Sequence, residues 1–137
     1  MSTPKPVVFD RYIPDHDAIL QTVEFYTSGL RAGDGQIMAQ AFLPAATFTA
    51  FYTGALHTGP IQRILESVGQ NGPAPDLVTR LASVEILGTI AVVRLEVGKW
   101  TGKLAPPEGI RMSDVFTLVK SESGWKIGHK GFHIHSA

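Results

Sequence analysis

Between Asp15 and Gly33 the apolar residues Ile19, Val23, Tyr26 and Leu30 recur at intervals of three and four through a stretch free of proline, which predicts an amphipathic helix. Pro14 and Asp15 form its start, and Gly33 is suited to end it in the left-handed conformation. Asp34 can cap a short second helix whose apolar face is Ile37, Met38, Ala41 and Phe42, with Pro44 as its stop. Thr47 to Tyr52 is aromatic and β-branched and predicts a strand. Beyond Gly54, Thr58 can cap a third helix carrying Ile61, Ile64, Leu65 and Val68, with Pro60 in its first turn, where proline is tolerated. Gly69 to Asp76, with two prolines, is a loop. Strand-like runs follow over 78–87 and 90–101, and in the second of them Val93, Leu95 and Val97 alternate with Arg94 and Glu96, the pattern of a strand with one wet face.

After a loop containing Pro106 and Pro107, the chain ends in two strand-like runs, Met112 to Lys120 and Trp125 to Ile134, joined by Ser121-Glu122-Ser123-Gly124. This is an antiparallel hairpin. If Lys120 and Trp125 close it, uninterrupted pairing places Asp114 opposite Gly131, Phe116 opposite His129 and Met112 opposite His133, all on one face. A carboxylate then stands above the gap at Gly131 with an imidazole on each diagonal. The opposite face would carry Val115, Thr117, Val119, Phe132 and Ile134, an apolar strip that predicts a homodimer through the outer face of the sheet. Three helices first and antiparallel strands after them imply an α+β fold, a curved antiparallel sheet packed on three N-terminal helices. The chain reads as a single domain over residues 1–137, with residues 1–14 as an N-terminal arm.

Composition narrows the partners. Lys plus Arg and Asp plus Glu both number 12, so there is no basic surplus for nucleic acid and no polybasic signal for a membrane surface. The absence of cysteine removes disulfides and thiolate metal sites and leaves the redox compartment open. Apolar runs such as Val7-Val8-Phe9 are too short for a signal peptide or a membrane span, so the expectation is a soluble, cytoplasmic protein.

The stretch Glu24-Phe25-Tyr26, Ala32-Gly33-Asp34, Phe42 and Ala46-Thr47, with Asp114-Val115-Phe116, Gly124-Trp125-Lys126-Ile127 and Lys130-Gly131-Phe132-His133, resembles the nuclear transport factor 2-like superfamily over roughly residues 15–135. Its ending is most similar to the SnoaL-like and putative lumazine-binding branch. The resemblance implies a cone-shaped fold shared with ketosteroid isomerases. In those enzymes a first-helix tyrosine and a strand aspartic acid hold the developing oxyanion, and Tyr26 and Asp114 fall at the matching positions. The general-base aspartate is replaced by Ala50, flanked by Phe48 and Tyr52. The resemblance also makes Val93, Leu95, Val97, Met112, Phe116 and Gly131 pocket lining, with His129 and His133 in place of apolar residues.

A lone carboxylate amid Met112, Phe116 and Leu118 is costly to bury, so Asp114 must be protonated, paired with a histidine or facing a wet cavity. A histidine beside an ionised aspartate can act as a base while Tyr26 donates to a carbonyl oxygen, which would suit isomerisation, cyclisation or dehydration of a small apolar substrate without a cofactor. The catalytic candidates are therefore Asp114, Tyr26, His129 and His133. A binding module without turnover is the alternative from another class, and the histidine pair is what would separate the two. Two histidines and a carboxylate also match a facial iron triad, but diagonal strand neighbours do not ensure the convergence a metal needs, so no metal is assigned. The substrate itself is not legible, nor is the histidine that pairs with Asp114.

Overall fold

The computed structural model describes residues 7–135, with side chains from residue 13 onward. Helix α1 spans Val7–Ala32, α2 Gly35–Ala39 and α3 Gln62–Asn71. The strands are β1 Phe42–Tyr52, β2 Ala55–Pro60, β3 Val78–Leu87, β4 Ile90–Trp100, β5 Ile110–Ser121 and β6 Gly124–His135. They form one sheet in the order β2-β1-β6-β5-β4-β3. Every neighbouring pair is antiparallel except β1 with β6, which run parallel, so the sheet is mixed. Helix α1 crosses the inner side and touches both β6 and β3, while α2 bridges α1 and α3.

The helical stripe Ile19, Val23, Tyr26 and Leu30 is buried as its spacing requires. Gly33 takes φ 66° and sits so close to the backbone of Gly72 and Pro73 that a Cβ would collide with them. Both the conformation and the approach demand glycine there. Asp34 caps α2 by accepting from the amides of Gln36 at 2.8 Å and Ile37 at 3.2 Å.

Several boundaries differ from the sequence expectation. The helix does not start at Pro14 but runs through it from Val7, which removes residues 7–14 from the expected arm; residues 1–6 lie outside the described ones. Helix α2 ends at Ala39, and Phe42 and Pro44 already belong to β1, which bonds to β6 at Phe42 and again from Thr47 onward. Pro44 is tolerated within β1 because the ladder to β6 is broken there and β2 pairs with β1 only from Thr47 onward. Thr58 caps no helix. It lies in β2, absent from the sequence reading, and its hydroxyl donates to the carbonyl of Phe48 at 3.0 Å.

The decisive difference lies in the hairpin. Lys120 pairs with Trp125 as expected, and Leu118 with Ile127, but Thr117 pairs with His129, so Gly128 is left over as a bulge. From there on the register is shifted by one residue. Asp114 stands opposite Phe132, Phe116 opposite Lys130 and Met112 opposite Ile134, while Gly131 faces Val115, His129 faces Thr117 and His133 faces Ser113. Because side chains alternate between faces, the slip exchanges the whole set. Lys130, Phe132 and Ile134 point inward. His129, Gly131 and His133 lie on the outer face.

Candidate functional site

Three elements meet beneath the inner face of that hairpin. Tyr26 comes from the buried stripe of α1, Asp114 from β5 and Lys130 from β6, one residue pair beyond the bulge. Their exposures are 1%, 0% and 3%. They close a ring of three hydrogen bonds. The Tyr26 hydroxyl donates to Asp114 Oδ2 at 2.8 Å, and the Lys130 ammonium donates to Asp114 Oδ1 at 2.7 Å and to the Tyr26 oxygen at 2.9 Å. A carboxylate and an ammonium buried this deeply survive only when paired and bonded on their remaining atoms, which the tyrosine accomplishes. Aromatic rings complete the surroundings of the cation. Lys130 Nζ lies 4.2 Å from the centre of the Phe132 ring and 5.1 Å from that of Tyr26. Burial, then the neighbouring Asp114 charge and the hydrogen bond to it, push the Tyr26 phenol well above its ordinary value. Tyr26 is thereby kept as a neutral donor.

Above this ring lies a cavity of about 290 Å³. The buried Tyr26, Lys130 and Met112 line it together with Phe132, Ile110, Ile134, Leu30 and the α3 residues Ile64, Ser67, Val68 and Asn71. Tyr52, Thr53, Trp100 and Leu104 stand at its mouth. His57 stacks on the Tyr52 ring at 3.9 Å, holding it from behind. Asn71 braces the loop after β4: its backbone oxygen accepts from the Lys103 amide at 3.0 Å and its side-chain oxygen from the Leu104 amide at 3.1 Å. Its side-chain nitrogen donates to the Ser67 carbonyl at 2.8 Å. The ammonium has three hydrogens and spends two in the ring. The third has no protein acceptor among the described residues, and Lys130 borders the cavity.

The structure brings together only part of the expected site. Tyr26 and Asp114 meet, and Tyr52 and Met112 line the cavity. Phe48, Ala50, Val93, Leu95, Val97 and Phe116 are buried on the inner face but do not line the cavity. His129, Gly131 and His133 are excluded by the bulge. His129 Nδ1 is 2.7 Å from the Thr47 hydroxyl on the outer face, and His133 is exposed, its ring edge-on to that of His135. The base expected beside Asp114 is therefore not a histidine, and the iron triad fails for the same reason. Among the described residues no three His, Asp or Glu side chains converge as metal ligands. Lys130 and Asn71 were missed. A glycine inside a strand run is a sign of a bulge, and Gly128 was the signal that Lys130 turns inward.

Residues 14–133 match the family described as "Putative lumazine-binding". None of the curated proteins compared matches the chain. Among solved structures, an NTF2-like protein of unknown function from Shewanella baltica is 28% identical, with a TM-score of 0.83 over 92% of this chain and 98% of that one. Another from Methylobacillus flagellatus is 30% identical, with a TM-score of 0.81 over 90% of this chain and 94% of its own. A ketosteroid isomerase-like protein from Erwinia carotovora shares the fold at 17% identity, with a TM-score of 0.65 over 88% of this chain and 96% of that one. With the helix-capped mixed sheet and the match across nearly its whole length, the chain belongs to this lumazine-binding-type family of the NTF2-like superfamily.

Proposed function

We propose that this protein binds a compact, largely apolar small molecule carrying one acceptor oxygen, and holds that oxygen on the free N–H of Lys130. The observation that carries the reading is that Lys130, whose third N–H has no protein acceptor among the described residues, borders a largely apolar cavity. A buried donor without a partner disfavours an empty or purely hydrocarbon-filled site, so the ligand that supplies an acceptor gains over one that does not. Binding without turnover is favoured over acid–base catalysis. The titratable groups lining the cavity among the described residues are Tyr26, Tyr52 and Lys130; Tyr26 holds its proton tightly, and Lys130 is engaged with Asp114.

The test compares 2-acetonaphthone with 2-isopropenylnaphthalene, which has the same shape but no acceptor, by calorimetric titration. The ketone should bind about tenfold more tightly, the value of one hydrogen bond to a buried charged donor. Equal affinities would remove Lys130 from the site.

Self-association through the outer sheet face is a separate proposal, with a revised set of residues. Phe132 and Ile134 point inward, so the exposed apolar groups near Gly131 on that face include Phe51 and Leu56 at 65% each and Val115 at 44%. Light scattering at micromolar concentration should give twice the chain mass of 14.8 kDa, reverting to one chain mass in Val115→Arg. A single-chain mass for the unaltered protein would refute it.

A further inference from the structure

We infer that the Asp114–Lys130 pair makes the cavity selective for uncharged acceptors, with Asp114 as the residue that rejects carboxylates. The inference rests on the reading of the cavity as a ligand site and names the class of ligand it takes. A cationic lysine at the end of an apolar pocket would ordinarily signal an acidic ligand, since an isolated ammonium gains most from an anion. Here that charge is already spent. Asp114 Oδ1 lies 2.7 Å from Nζ with no exposure to solvent, so the pair carries no net charge and the interior does not screen it.

A ligand carboxylate on the third N–H would sit across a single nitrogen atom from the Asp114 carboxylate, two anions sharing one cation. It would also lose its hydration in a space where Lys130 is the one charged residue among those lining it. The Phe132 and Tyr26 rings, whose faces attract the ammonium, repel a second anion brought close to it. A ketone, aldehyde, ester or amide oxygen meets none of these penalties. It completes the ammonium's third bond while leaving the charge balance intact. Asp114 does not itself border the cavity, so it acts on the ligand through Lys130 as a positioning and charge-setting residue.

The experiment titrates the unaltered protein with 2-acetonaphthone and with 2-naphthoate, which share a ring and nearly the same head-group shape. The ketone should bind at least about tenfold more tightly than the carboxylate, because the second anion faces Asp114 at low screening. In Asp114→Asn the lysine charge is left unbalanced, and the preference should reverse in favour of 2-naphthoate. Equal or tighter binding of 2-naphthoate by the unaltered protein overturns the selectivity, and an unchanged ratio in a folded Asp114→Asn overturns its assignment to Asp114. If neither probe binds, the ligand-site reading falls and takes this inference with it. Should Asp114→Asn fail to fold, the ratio in the unaltered protein still decides the selectivity.

Discussion

The two faces of the β5–β6 hairpin carry nearly the same set of groups in different surroundings. On the inner face a carboxylate, a hydroxyl and a cation, Asp114, Tyr26 and Lys130, close a ring inside the protein. On the outer face Glu96 accepts from the Ser113 hydroxyl and from Arg94 at 2.7 Å, and Ser113 lies 2.8 Å from His135 Nε2. Arg94 and Glu96 retain 56% and 31% of their side-chain exposure, against 4% and 0% for Lys130 and Asp114. Contact geometry is similar on both faces. What differs is the alternative open to each group: outside, water replaces a lost partner; inside, nothing does. The inner ring therefore weighs heavily on the fold, and the outer one is close to neutral.

The largest expected effect comes from exchanging the faces. Deleting Gly128 together with His129 would make Lys130 the neighbour of Ile127, and alternation would then turn Lys130, Phe132 and Ile134 to water and bring Gly131 and His133 inside, whereas deleting Gly128 alone leaves every pair unchanged. No cooperative unfolding transition is expected for the double deletion, and a normal melting curve would show that the spacing from Ile127 to Lys130 does not set the register.

Next comes breaking the inner pair at one partner. Lys130→Met should cost about 3–5 kcal/mol in denaturant unfolding, since Asp114 is left as a buried charge. Lys130→Met combined with Asp114→Leu should recover much of that loss, because two apolar side chains need no partners. A double variant as unstable as the single one would mean that the ring is more than a compensated charge pair.

Tyr26→Phe removes a donor to Asp114 and an acceptor for Lys130 while keeping the ring that stands 4.8 Å from Phe116. A loss of about 1–3 kcal/mol is expected, below that of the ion-pair break. The smallest effect belongs to the outer face. Glu96→Gln should change stability at neutral pH by no more than about 0.5 kcal/mol. The hydrogen bond from Ser113, then that from Arg94, lowers the Glu96 carboxyl from its usual range. Its depressed folded value means that its contribution is present above about pH 4.3, the unfolded value, and fades as pH falls through the lower folded one. The unaltered protein should thus lose slightly more stability than Glu96→Gln on acidification below that point. An outer variant as damaging as Lys130→Met would erase the distinction between the faces.

Much of the architecture was written in local pattern. The stripe from Ile19 to Leu30, the Gly33 terminus, the Asp34 cap and the alternation of β4 each depend on residues a few positions apart, so spacing alone could specify them. The hairpin turn and its closing pair Lys120–Trp125 were local as well. Asp114 was legible because a carboxylate between apolar neighbours stands out in one dimension, while Tyr26 stood in the apolar stripe as a core residue and its meeting with Asp114 was implied only by the resemblance to ketosteroid isomerases. Strand β2 is a local hairpin partner of β1 across Thr53-Gly54, but Thr58 and Pro60 there also read as a helix start; the parallel joining of β1 to β6 and the mouth loop braced by Asn71 were not legible, since each depends on residues far apart in the chain. The identity of the third ring member also needed three dimensions. One unpaired glycine reverses the facing of every residue after it, and only the completed sheet, in which Asp114 needs a cation and the core needs Phe132, decides that Lys130 enters and the histidines stay out.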